Sequence, residues 1–83
     1  MPAGKPYKFK RMTSAEFSAA LDEFEIGVGK FCRLTGAGPQ TVQKWLDGVE
    51  EPPHWVAMAF ACWRVPQALP AARDEAEARL IDS

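Results

Sequence analysis

The sequence predicts an all-α fold, a compact bundle of about five short helices that contains a helix-turn-helix. Three observations carry that prediction. Thr13-Ser-Ala-Glu16 has capping-box spacing and is followed by Phe17, Ala20, Leu21 and Phe24 at helical intervals. The run from Phe31 to Gly48 reads as two short helices joined by a glycine-bearing turn. The segment from His54 to Trp63 is nearly all apolar and carries no charge, and it is far too short to span a bilayer. Helices are expected at about 14–24, 28–35, 39–46, 54–65 and 71–81.

Each element has a local reason. In the first, the Thr13 hydroxyl can accept from the amide near Glu16 while the carboxylate reaches back, and Phe17, Ala20, Leu21 and Phe24 form one core-facing stripe. Gly27 interrupts the pattern. The second helix has poor ends, because Gly27 offers no side-chain acceptor and Gly29 lies in its first turn, where glycine costs about 0.5–1 kcal/mol relative to alanine. Packing through Val28, Phe31 and Leu34 must hold it. Gly36 supplies the positive φ that ends a helix, and Pro39 suits the first position of the third, where its missing N–H is no loss. Asp47-Gly48 stops the third helix. Glu50-Glu-Pro-Pro53 is a rigid acidic connector, the apolar fourth helix ends or bends at Pro66, and Pro70 opens a last helix with Ala72, Ala76 and Leu80 on one approximate face.

Composition narrows the function. With 83 residues, 47% of them hydrophobic and 11% aromatic, the chain has enough apolar content for a real core in one domain, residues 13–83, behind an arm at 1–12. Cys32 and Cys62 are the two cysteines and His54 the one histidine, a set too small and too widely spaced for zinc or for nucleophilic catalysis. Both thiols are expected to be buried. No glycine-rich phosphate loop is present, and no enzyme activity, metal or cofactor is predicted. The first residues have cations but no apolar run behind them, so neither a signal peptide nor a membrane anchor is expected, and the predicted location is cytoplasmic, at the nucleoid.

The formal net charge is only −1, but its distribution is uneven. Lys5, Lys8, Lys10 and Arg11 make the arm basic, and Lys30, Arg33 and Lys44 stand against Asp47 between residues 27 and 48. Acid gathers at Asp22, Glu23 and Glu25, at Glu50 and Glu51, and in the tail. The third helix sets Val42, Trp45 and Leu46 on one side and Gln40, Gln43 and Lys44 on the other. Long amides and a cation on a rigid helix suit the base edges of a DNA major groove: glutamine matches adenine N6 and N7, and lysine can donate to guanine O6 and N7. Gln40, Gln43 and Lys44 are the candidate base readers. Thr41, Lys30, Arg33 and the backbone at Gly29 are candidates for the phosphates, and the basic arm for a further phosphate strand or a minor groove.

At its second and third helices the chain resembles the Cro/C1-type, or Xre-like, helix-turn-helix family, in its small phage or proteobacterial form. Cys32, Gly36 and Val42 fall on that family's small, glycine and aliphatic positions. Trp45 falls on its usual aromatic or aliphatic core position, and Leu46-Asp47-Gly48 replaces its common Glu-x-Gly ending. The resemblance covers roughly residues 13–63 and implies a lambda repressor-like bundle that binds double-stranded DNA and regulates transcription, by blocking or touching RNA polymerase. A homodimer or a protein partner on DNA is expected, because one helix reads only a few base pairs; the last helix and Trp55, Phe60 or Trp63 are candidates for the joining surface. A second reading stays open: an adaptor or co-regulator on the same fold that binds another transcription protein, favoured by the acidic balance and by Val28, where the family commonly has glutamine.

Overall fold

The computed structural model describes residues 8–81. Among the described residues there are five helices and no strand: α1 (Ser14–Glu23), α2 (Val28–Thr35), α3 (Pro39–Asp47), α4 (His54–Trp63) and α5 (Ala68–Arg79).

The capping box forms as expected. Thr13 Oγ1 accepts from the Glu16 amide at 3.1 Å, and the Thr13 amide donates to Glu16 Oε1 at 2.9 Å. Helix α1 ends at Glu23, within one residue of the expected boundary. Glu25 adopts the left-handed conformation at φ 55°, its amide donates to the Asp22 carbonyl, and the Ile26 amide donates to the Leu21 carbonyl. That pair of bonds is a Schellman closure, and it turns Ile26 into the core.

Phe31 occupies the middle of the bundle. Its ring meets Phe17 edge-on at 5.3 Å, Trp63 edge-on at 6.1 Å and Phe60 tilted at 5.7 Å. Phe17, Leu21, Val42, Trp45, Val56 and Phe60 complete the core, so four helices contribute to it. Such aromatic pairs add about 0.5–1.5 kcal/mol each beyond the area they bury. Helix α5 buries no residue completely and lies chiefly against α2.

Four expectations need correction. Helix α4 ends at Trp63 rather than Val65: Val65 precedes Pro66, whose ring disfavours helical backbone there, and the Arg64 amide already closes the helix onto the Phe60 and Ala61 carbonyls. Pro70 does not open α5. The helix starts at Ala68 after Gln67 takes a left-handed φ of 71°, so Pro70 sits in the first turn, where its amide is still not required. Phe60 is only 1% exposed and offers nothing to a partner, whereas Trp55 is 45% exposed. Cys62 is exposed rather than buried, since an apolar helix gives no periodic cue to its inner side; Cys32 is half-buried, and desolvation raises its thiol above the ordinary range.

Glu23 and Arg64 fasten the end of α1 to the end of α4 through two parallel hydrogen bonds of 3.0 Å, with the guanidinium 5.8 Å from the centre of the Phe24 ring. The hydrogen bonds from Arg64 hold the Glu23 carboxyl below the usual carboxylate range, and the carboxylate raises Arg64 in turn.

Candidate nucleic-acid interface

Helices α2 and α3 are joined by Gly36-Ala37-Gly38. The Thr35 hydroxyl donates to the Phe31 carbonyl at 2.9 Å and accepts from the Ala37 amide at 3.2 Å, while Gly36, at φ 79°, returns its amide to the Cys32 carbonyl at 2.8 Å. The Cys32 carbonyl and the Gly36 and Ala37 amides are thereby paired, which helps fix how α3 leaves α2.

Three features seat α3. Val42 is fully buried and Trp45 is 3% exposed, its indole edge-on to Phe17 at 5.6 Å. At the far end Gly48, at φ 78°, allows the Gly48 amide to reach the Trp45 carbonyl and the Val49 amide the Lys44 carbonyl, a second Schellman closure. Ser14 Oγ, from the first residue of α1, donates to the Leu46 carbonyl at 2.6 Å and ties the last turn of α3 to α1.

With the inner side pinned, Gln40, Thr41, Gln43, Lys44 and Asp47 are all exposed. Helical spacing sets Gln40, Gln43, Lys44 and Asp47 along one outward ridge, with Thr41 at its flank. Gln43 Nε2 donates to Asp47 Oδ1 at 2.9 Å. No side chain caps the start of α3 and no acid lies in its first turn, so the Gln40 and Thr41 amides add partial positive charge at that end of the ridge. The structure thus brings the three predicted base readers together and adds Asp47, which in the sequence looked only like part of a helix stop. Its four-residue spacing from Gln43 was the available signal.

The predicted phosphate-contacting residues separate into groups. Gly29 is exposed in the first turn of α2, and a Cβ added there would meet nothing within 4 Å, so packing does not require glycine. Lys30 and Arg33 rim a groove between α2 and α5, floored by Leu34, Ala76 and Leu80. Arg73 of α5 lines the same groove as a third cation, together with the acid Glu77, and no local pattern placed either there.

The described arm residues border other surfaces. Lys8, Lys10 and Arg11 cluster around Thr13, Glu51 and His54, and Lys10 and Arg11 also border the furrow between α1 and α4. Phe9 stacks on His54 with ring centres 4.0 Å apart, and Arg11 Nη1 donates to the Glu51 carbonyl at 3.4 Å. The lone imidazole is engaged in packing, with Nδ1 buried and without a partner among the described residues. None of these arm residues joins the outward ridge of α3. Lys5 lies outside the described residues.

None of the known protein families, characterised proteins or solved structures compared with the chain matches it. Among the described residues no helix is long and apolar enough to cross a membrane.

Proposed function

We propose that the protein is a sequence-specific double-stranded DNA-binding regulator of transcription, with α3 in the major groove and Gln40, Gln43 and Lys44 at base edges. One observation carries the proposal: α3 is locked to the core through Val42 and Trp45 while every long polar side chain it owns stands in solvent. A recognition helix has to combine those properties, because a loosely held reader spends its binding energy on becoming ordered. The Cro/C1-type resemblance belongs to the same proposal. Three of its marker positions support it: Gly36 is left-handed, and Val42 and Trp45 are buried.

Phosphates are assigned to the uncapped first turn of α3 with Thr41, to the open backbone at Gly29, and to Lys30 and Arg33, now joined by Arg73. The basic arm is assigned to a separate backbone contact, because its described residues border the α1–α4 furrow and the surface around His54 rather than the outward ridge of α3. The protein acts in the cytoplasm on DNA, as a homodimer or with a protein partner, and meets RNA polymerase there.

Selection from random duplex DNA tests the proposal. The parent protein enriches a short motif, and Gln43→Ala lowers affinity for that motif by about 1–3 kcal/mol while leaving non-specific binding almost unchanged. An unchanged ratio of specific to non-specific affinity removes Gln43 from the reading set.

One observation favours the adaptor reading. Helix α4 has no charged residue, yet Trp55 and Met58, 45% and 48% exposed, share its outer side with Cys62. An apolar stripe of this kind is a normal mark of a protein contact. An adaptor retains no measurable affinity for random duplex at low salt, whereas a DNA reader binds it with a steep salt dependence.

A further inference from the structure

We infer that Asp47 is a positioning residue: it fixes the direction of the Gln43 amide and thereby which base Gln43 selects. This rests on the DNA-reading proposal above. Gln43 Nε2 and Asp47 Oδ1 are 2.9 Å apart, one helical turn along the outward ridge. An ionised carboxylate only accepts hydrogen bonds, so the nitrogen of the amide faces Asp47 and its oxygen cannot. The ambiguity of an ordinary glutamine, whose oxygen and nitrogen can exchange places, is therefore removed by chemistry.

The consequence is a defined reading edge. With the amide hydrogen remote from Oε1 assigned to Asp47, the opposite edge keeps Oε1 together with the hydrogen beside it. One acceptor next to one donor complements adenine, which offers an N6 donor next to an N7 acceptor. Guanine offers two acceptors, O6 and N7, and the braced amide cannot supply two donors along one edge. An unbraced glutamine can rotate and give a single hydrogen to guanine, so its discrimination is weaker.

Ion pairing does not account for an acid at this position, and the helix dipole opposes it, although the bond to Gln43 returns a small part of that cost to the helix. Asp47 is the last residue of α3, where the helix dipole disfavours a negative charge. Its carboxylate also stands where phosphates would repel it. Among the described residues no lysine or arginine pairs with it, and its one side-chain partner is Gln43.

The test is duplex selection with four proteins: the parent, Gln43→Ala, Asp47→Ala and the double variant. Comparing the parent with Gln43→Ala locates the base pair that Gln43 reads. The parent is expected to prefer adenine over guanine there by at least about tenfold, and Asp47→Ala to reduce that preference to about threefold or less. Affinity of Asp47→Ala for random duplex is expected to stay level or rise, because an anion has been removed from a DNA-facing ridge. In the Gln43→Ala background, Asp47→Ala should change nothing at that base pair. The side chain is exposed and unfavourably placed for the helix dipole, so its removal leaves the fold intact.

Three results would overturn the inference. An Asp47→Ala motif identical to that of the parent leaves DNA reading standing but removes the role of Asp47. A changed preference at a different base pair makes Asp47 a direct reader rather than a positioner. A parent protein that enriches no motif overturns the DNA reading itself, and the role of Asp47 with it.

Discussion

Replacing Trp45 with alanine probes how α3 is held. The indole is 3% exposed and meets Phe17 at 5.6 Å, Trp55 at 6.1 Å and Phe31 at 6.3 Å. Nearly the whole side chain, roughly 200 Å² of apolar surface, leaves water on folding, which at about 25 cal/mol per Å² is a gross term of about 5 kcal/mol. Alanine recovers part of that and leaves a cavity beneath the helix, so the expected net loss is about 3–5 kcal/mol. A chain of this length is stable by only about 4–12 kcal/mol. Trp45→Ala is therefore expected to forfeit between about a quarter and all of the folding free energy, whereas Trp45→Phe, which keeps an aromatic edge toward Phe17, should lose about 1–2 kcal/mol. Urea titration followed by far-ultraviolet circular dichroism measures both, and the unfolding slope checks that the denatured states compare. A Trp45→Ala protein within about 1 kcal/mol of its parent would mean that α3 is not seated by this residue, and the account of a rigid outward ridge would fail.

Further outcomes follow from individual contacts. Thr13→Ala should cost about 1 kcal/mol, since it leaves the Glu16 amide without its acceptor; urea titration reads it directly. Two glycine replacements should have opposite signs on the same curves. Gly29→Ala meets no neighbour and should stabilise α2 by about 0.5–1 kcal/mol, while Gly36→Ala, with φ at 79°, should destabilise by about 1–2 kcal/mol despite equally open space. Because Arg64 lowers the folded carboxyl of Glu23, this pair adds stability above the unfolded carboxylate range and loses it as pH falls through the folded value. Glu23→Gln should accordingly flatten the acid limb of the stability curve, and added salt should reduce the difference, as expected for an exposed pair.

The parts of the fold legible in the sequence are those whose causes lie within one helical turn. Thr13 and Glu16 cap each other across three residues, Gly36 and Gly48 take the left-handed angles that end α2 and α3, and the spacing of Val42, Trp45 and Leu46 shows which side of α3 turns inward. The same period exposed Gln40, Gln43 and Lys44 together. Where an ordinary residue took an unusual angle, nothing local announced it: Glu25 and Gln67 both adopt positive φ without being glycine, and at Gln67 the start of α5 moved with it. Helix α4 is apolar on every side, so periodicity could not distinguish buried Phe60 from exposed Cys62. Contacts between distant residues left no local trace either. Arg64 finds Glu23 and Arg73 joins Lys30 and Arg33 only because three-dimensional packing brings them together.

The bond from Ser14 Oγ to the Leu46 carbonyl couples two events that the chain order keeps apart. Its donor follows directly on the residue that caps α1, and its acceptor lies in the turn that carries Lys44 and Asp47. Fraying at the beginning of the first helix therefore loosens one of the ties on the end of the third. In hydrogen exchange the Phe17 and Val49 amides, both bonded at those termini, should share one opening free energy and lose protection together when Ser14 is replaced by alanine.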